Sequence, residues 1–328
     1  MTVMATVNTV LGPVGADKLG KTLVHEHFVF GYAGFEGDTT LGEFDPEAAL
    51  QTGIDVAEKL KVHGVKTVVD ATTNECGRNP DLLRKIAEKT GLQIVCSTGY
   101  YYEGESAPAY FKFRAGLGDA ETEVYQMFEK ELTEGIGKTG IKAGVIKLAS
   151  SKDVITDYEK MFFRAAAKVQ KETGVTIITH TQEGTMGAEQ AELLISAGAD
   201  PSRILIGHMC GNTQLADHVR VLKTGVFVGF DRFGLEGVVG APLDAVREAV
   251  LIGLMGTGYG KQILLSQDTV NFWLGRPLVL PPVVQQMLAQ WHPTHIFEEV
   301  IPVLKKAGIT DEQIDMLLIE NPRRLFGD

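Results

Sequence analysis

Ala143-Gly144-Val145-Ile146-Lys147-Leu148-Ala149-Ser150 and Val175-Thr176-Ile177-Ile178-Thr179-His180-Thr181 are short apolar runs of strand type. Between them Met161, Phe162, Ala165, Ala166 and Val169 recur at helical spacing. Apolar runs without polar alternation suit parallel strands buried on both faces, and the intervening stripe suits a crossover helix packed on the sheet. The pattern continues outward in both directions. Runs of the same kind occupy Thr22–Phe28, Lys66–Thr72, Gln93–Gly99, Ile204–Met209, Val226–Asp231 and Ile263–Asp268, which makes eight in all. Helical stripes follow several of them, such as Leu50, Ile54, Ala57 and Leu60, or Ala188, Ala191, Leu194 and Ile195.

Eight strand–helix units in series point to a closed (β/α)₈ barrel. An open doubly wound sheet is the architectural alternative, but no G-x-G-x-x-G follows the first strand, which gives His25-Glu26-His27 instead. Val7–Lys21, with Leu11-Gly12-Pro13, reads as a short hairpin ahead of the barrel, and the stretch from Leu278 onward as a long connection followed by helices. No repeat or linker divides the chain, so residues 1–328 are read as one domain.

The net charge of -11 disfavours phosphate backbones and anionic membranes as partners. No apolar run approaches the ~20 residues that span a bilayer. Met1 to Val10 has neither the basic cluster nor the apolar core of a signal peptide. Cys76, Cys96 and Cys210 are odd in number and far apart, which fits small buried thiols in a cytoplasmic protein better than a disulfide framework.

Active sites of such barrels lie at the C-terminal strand ends. Five strands carry ligand-type residues there or nearby. His25 and His27, two apart on the first strand, point to the same side. His180 ends the fifth strand, His208 the sixth and Asp268 the eighth. Each alone has a bland reading: a hydrogen-bonded core histidine, or a carboxylate that caps a helix. Lys147 lies within the apolar fourth strand. It either snorkels to the barrel mouth or reacts as a neutral amine with carbon dioxide, giving a carbamate anion able to bridge two metals. Together the six residues could hold two divalent ions ~3.5–4 Å apart, able to carry a hydroxide and polarise an ester or phosphoryl oxygen. His63, His218, His292 and His295 are read as structural.

The order H-x-H, strand lysine, His, His, Asp resembles the amidohydrolase superfamily, and within it the phosphotriesterase-like lactonases. The matching segments are Thr22–Phe28, Thr98–Glu103, Gly140–Ser151, Ile177–Gly187, Ile204–Asn212, Phe230–Gly234, Leu264–Pro277 and Asn321–Phe326, nearly the whole chain. The resemblance implies a TIM barrel and a homodimer. It implies a carboxylated Lys147 that bridges two ions (zinc, iron, cobalt or manganese), with His25, His27 and Asp268 on the inner ion and His180 and His208 on the outer. It implies that Tyr101 points at the metals, although a slip of one place within Tyr100-Tyr101-Tyr102 reverses the side. Arg232 matches an arginine near the pocket. Phe28, Tyr100, Tyr101, Arg232, Phe272 and Trp273 are the candidate substrate contacts; Phe272, Trp273 and Leu274 could instead pack on a partner subunit. Gln267 stands where many relatives have His, and is expected to point away from the metals.

The expected reaction is hydrolysis of a γ- or δ-lactone or an N-acyl homoserine lactone. Hydroxide attacks the ring carbonyl, Tyr101 stabilises the oxyanion, and Asp268 carries the proton to the leaving alkoxide. Organophosphate triester cleavage is the alternative main activity, and a non-catalytic scaffold of the same fold is the reading from another class.

Overall fold

The computed structural model describes residues 5–327, so the first four residues of the Met1–Val10 segment lie outside it. An antiparallel hairpin, β1 (Thr6–Thr9) and β2 (Gly12–Gly15), precedes eight parallel strands. These are β3 (Lys21–Glu26), β4 (Val65–Asp70), β5 (Gln93–Gly99), β6 (Val145–Ser150), β7 (Thr176–Thr181), β8 (Ile204–Ile206), β9 (Phe227–Phe230) and β10 (Ile263–Leu265), paired in sequence order. The helices that link them are α1 (Pro46–Val62), α2 (Pro80–Thr90), α3 (Pro108–Leu117), α4 (Ala120–Thr133), α5 (Asp157–Thr173), α6 (Gly187–Ser196), α7 (Leu215–Leu222) and α8 (Asp244–Gly256). Short helical turns follow β10, beginning with α9 (Pro282–Met287). The result is the TIM-barrel architecture.

Two clusters divide the core. Val24, Val69, Val95, Val145, Ile178, Leu205 and Leu264 belong to one, which the hairpin residue Val7 and Leu325 near the C-terminus join. Their neighbours Leu23, Val68, Ile94, Ile146, Ile177, Ile206 and Leu265 belong to the other, with the buried faces of the helices. One residue of each pair thus fills the barrel and the next packs under a helix, which is why both parities are apolar. Two residues beyond Val145 and Ile178, the same inward parity brings Lys147 and His180 into the barrel.

β3 departs from this rhythm. Leu23 pairs with Val68 and Glu26 with Asp70, so three steps on β3 oppose two on β4. The extra residue is a β-bulge, a device that re-aims side chains beside active sites. Val24 already faces inward, so without the bulge His25 would face a helix.

Several strands are shorter than the sequence runs suggest. The run Ile204–Met209 is strand only to Ile206, and Ile263–Asp268 only to Leu265. His208 and Asp268 instead have left-handed backbones, with φ of 58° and 53°. The seam between β10 and β3 has no continuous ladder. Asp268 N–H donates to the His25 carbonyl at 3.0 Å, and His27 N–H to the Thr269 carbonyl at 2.9 Å.

Candidate metal centre

His25, His27, Lys147, His180, His208 and Asp268 converge at one cavity at the C-terminal mouth of the barrel, and Tyr101, Arg232 and Trp273 share its wall. All six of the first group are buried. Ring centroids of His25 and His208 are 4.5 Å apart, those of His180 and His208 4.6 Å. Lys147 Nζ is 3.0 Å from His25 Nε2. Asp268 Oδ1 lies 3.0 Å from His27 Nε2 and 3.4 Å from His25 Nε2, while Oδ2 accepts from Arg232 Nε at 2.7 Å.

The partners on the far side of each imidazole fix its tautomer. The Asp231 carboxylate lies fully buried between two rings. Its Oδ1 accepts from His208 Nδ1 at 2.9 Å and from His208 N–H at 2.8 Å, and its Oδ2 is 3.3 Å from His25 Nδ1. A carboxylate only accepts, so His208 Nδ1 carries the proton; the 3.3 Å contact to His25 is an ionic one that does not close as a hydrogen bond, and it favours the proton on His25 Nδ1. Thr72 Oγ1 spends its hydrogen on the Val29 carbonyl and therefore accepts from His27 Nδ1, at 2.8 Å. Gln182 Oε1 accepts from His180 Nε2 at 2.8 Å. The remaining lone pairs of His25 and His208, both Nε2, and of His180, Nδ1, turn to the centre, and His27 turns Nε2 to Asp268 Oδ1 there; holding each ring from behind in this way is characteristic of metal-binding histidines.

Burial, reinforced by Lys147, lowers His25 to about 4. Burial and Arg232 hold His180 and His208 well below the ordinary histidine value. Burial also lowers Lys147 to about 7, against the pull of Asp268 and Asp231. Asp268 is pushed up by burial, yet His208, Arg232 and His25 hold it well below the usual carboxylate range. The lowered His25, His180 and His208 are therefore neutral at pH 7 and face an ionised carboxylate. Ligand atoms of His25, His208 and Asp268 lie within 4.8 Å of one another. Such a set of converging lone pairs fits divalent cations bound through nitrogen and oxygen.

The remaining cavity, about 270 Å³, has an apolar wall that includes Phe30, Tyr32, Leu235, Val238, Val239 and Trp291. Tyr101 Oη is 3.5 Å from His180 Nδ1, and burial raises Tyr101 well above the ordinary tyrosine value, so the phenol stays protonated.

Three candidate substrate contacts lie elsewhere. Phe28 is in the outer core, beside Ile86 and the backbone of Gly53. His27 takes the inward place, so Phe28 faces out, and Phe30 lines the cavity instead. Tyr100 packs among Phe111 and Phe162, on the opposite side of the chain from Tyr101. Phe272 meets Phe44 edge to face. Trp273 lies against Phe30 and Tyr32 in the wall. Gln267 turns to the C-terminal tail, donating to the Pro293 carbonyl and accepting from Ile296 N–H. His218 bonds to the Asn212 carbonyl, His295 to Asp244, and His63 stacks on Phe297, all outside the centre.

Reading the sequence for ligands passed over Asp231, Thr72 and Gln182. Asp231 had a signal. A β-carbon on Gly229 would lie 2.4 Å from Asp231 Oδ2, and one on Gly207 3.1 Å from it. Gly229 on β9 and Gly207 just past the end of β8 leave the room that a buried carboxylate needs.

A parallel barrel with buried histidines and a carboxylate at its C-terminal mouth defines a hydrolase of the TIM-barrel class. A family model described as the Phosphotriesterase family matches residues 5–326, and the chain belongs to that family. It is similar to an organophosphorus hydrolase from Deinococcus radiodurans, with 57% identity and a TM-score of 0.98 over 100% of this chain and 98% of that one. A mutant of a PTE-like lactonase from Deinococcus radiodurans superposes with a TM-score of 0.97 at 56% identity, over 98% of this chain and 100% of that one. An aryldialkylphosphatase from Saccharolobus solfataricus is 34% identical over 94% of this chain and 95% of its own length.

Proposed function

We propose that this chain is a binuclear metal-dependent lactonase acting on γ- and δ-lactones, N-acyl homoserine lactones among them, with organophosphate triester cleavage as a weaker side reaction. The observation that carries the reading is the convergence of four oriented imidazoles, Asp268 and the protonated Tyr101 on one mostly apolar cavity. The apolar wall of the cavity suits the alkyl arm of a substituted lactone. The names of the similar organophosphorus hydrolase and aryldialkylphosphatase favour the second reading, in which triesters are the main substrates.

His25, His27 and Asp268 would hold the inner ion and His180 and His208 the outer, with Lys147 as a carbamate between them. The lowered Lys147 supports this, because a neutral amine is the form that reacts with carbon dioxide. Zinc, iron, cobalt or manganese suits these donors. Such ions supply Lewis acidity and an activated water. Tyr101 donates to the carbonyl oxygen as negative charge develops there. Asp268 takes the proton of the attacking water and passes it to the leaving alkoxide. Arg232 holds Asp268 through Oδ2 and keeps it ionised. The apolar wall excludes bulk water.

We further propose one domain, a cytoplasmic location and a homodimer. The buried cysteines are free, which supports a reducing compartment. On α3, Tyr110, Phe113 and Leu117 lie at one-face spacing and are 61%, 64% and 65% exposed, which supports a partner subunit there. Among the described residues no helix is long and apolar enough to cross a membrane.

The test is kcat/KM of metal-loaded protein on an alkyl δ-lactone, an N-acyl homoserine lactone and paraoxon, with a chelated control. A lactone preferred by orders of magnitude supports the reading; a preference for paraoxon replaces it with the second.

A further inference from the structure

Glu26 stands between His25 and His27 and is 2% exposed. No step of the reaction uses it. Its side chain turns away from both histidines, into the seam between β3 and β10. There Oε1 accepts from Ser266 Oγ at 2.7 Å and from Gln267 N–H at 2.8 Å. Oε2 accepts from Thr269 N–H at 2.9 Å and from Thr269 Oγ1 at 2.5 Å. One carboxylate therefore grips the chain on both sides of Asp268.

Asp268 is also the residue with the left-handed backbone, φ 53°. Side chains other than glycine rarely hold that conformation unless their surroundings over-determine it. β10 itself ends at Leu265, and beyond it single backbone bonds, such as Asp268 N–H to the His25 carbonyl at 3.0 Å and His27 N–H to the Thr269 carbonyl at 2.9 Å, replace a continuous ladder. On this seam Ser266 Oγ also accepts from His25 N–H at 3.0 Å, which joins the same grip to the backbone of a histidine at the centre. Glu26 lies in the bulge-shifted part of β3, so one local irregularity aims His25 inward and Glu26 at the seam.

We propose that Glu26 is a positioning residue: it clasps residues 266, 267 and 269 and thereby holds Asp268 in the conformation that points its carboxylate at the centre. The proposal rests on the reading of Asp268 as a metal ligand and proton acceptor. An amide in place of the carboxylate keeps the volume but presents a donor to one of these donors.

The experiment compares Glu26→Gln, Asp268→Asn and the double variant, each loaded with cobalt(II). In Glu26→Gln, kcat on an alkyl δ-lactone falls about 30-fold, the range seen when groups behind a metal ligand are lost. KM stays within about threefold, and the visible cobalt absorption changes. In the Asp268→Asn background, Glu26→Gln lowers kcat by no more than about threefold further, since the two act as one unit. Thr269→Val removes one of the gripping donors, and shows the same pattern at about fivefold should Glu26→Gln not fold. Losses that multiply in the double variant, or a lowered Tm with kcat and cobalt spectrum unchanged, would overturn the proposal. If no variant or parent turns over a lactone, the functional reading fails, while the cobalt spectrum still decides the clasp.

Discussion

Replacing Asp231 by asparagine tests the orientation of the histidines at its strongest point. The substitution keeps shape and volume in the space that Gly207 and Gly229 leave open. Oδ1 can continue to accept from His208 N–H and Nδ1, at 2.8 and 2.9 Å. The new NH₂ then replaces Oδ2, 3.3 Å from His25 Nδ1. Two donors cannot face each other there, so His25 must move its proton to Nε2, the atom that faces Lys147 and Asp268. Its lone pair is lost to the ion. Two buried donors left facing each other cost on the scale of an unmade hydrogen bond, roughly 1–3 kcal/mol, or about 5- to 150-fold in a binding constant. Metal affinity, measured by competition between the apoprotein and a chromophoric chelator, should fall by about 10- to 100-fold. Thermal unfolding of the apoprotein serves as a control for folding. An affinity within about threefold of the parent, in a folded variant, would refute the argument that Asp231 sets the tautomer.

Phe28→Ala should lower stability by about 3–5 kcal/mol in denaturant unfolding, with KM little changed, whereas Phe30→Ala should raise KM for alkyl lactones; the reverse would return Phe28 to the pocket. Gly229→Ala puts a β-carbon 2.4 Å from Asp231 Oδ2, so metal affinity should drop in the same direction as for Asp231→Asn, as read by the same chelator competition. His25 is lowered to about 4 from 6.5. Between those values the unfolded chain binds the proton and the folded one does not, so the His25 contribution to apoprotein stability is complete above pH 6.5. It is lost as pH falls toward 4, at up to about 1.4 kcal/mol per pH unit, and an NMR titration of the His25 ring should show it neutral at pH 5.5, a value roughly midway in that window. Lys147 is lowered to about 7. Reconstitution of chelated protein with zinc should therefore accelerate with added bicarbonate and with rising pH through that value, and mass spectrometry should find carbon dioxide added to Lys147.

The barrel was legible because parallel strands buried on both faces leave short apolar runs, and the helices between them leave 3.6-residue stripes. Lys147 and His180 were legible for the same reason: regular pleating carries inward parity from Val145 and Ile178 to them. Where the pleat breaks, simple parity fails. The bulge in β3 shifts His25 inward, and no alternation count from Val24 would place it there. His208 and Asp268 sit after their strands have ended, on left-handed backbones that strand propensity does not signal. Phe28 and Tyr100, named as substrate contacts beside the resemblance, lie one step from the residues of their strands that face the cavity, and a single step reverses the side. Asp231 and Glu26 drew no reading from the sequence, because their partners, His208 and His25 for one and residues 266, 267 and 269 for the other, come from other strands or the segments just past them. The grip of Glu26 on Ser266 and Thr269 spans about 240 residues, and only the closed barrel brings its ends together.

The central claim is that the converging histidines, Lys147 and Asp268 form a metal centre that hydrolyses lactones. The most direct measurement titrates a divalent metal into chelated protein in the presence of bicarbonate and follows both bound metal and turnover of an alkyl δ-lactone. The account predicts no turnover at zero metal, and activity that rises to a plateau as two ions bind per chain. Full turnover in the chelated protein, or stoichiometric metal binding that leaves lactone untouched, would contradict it.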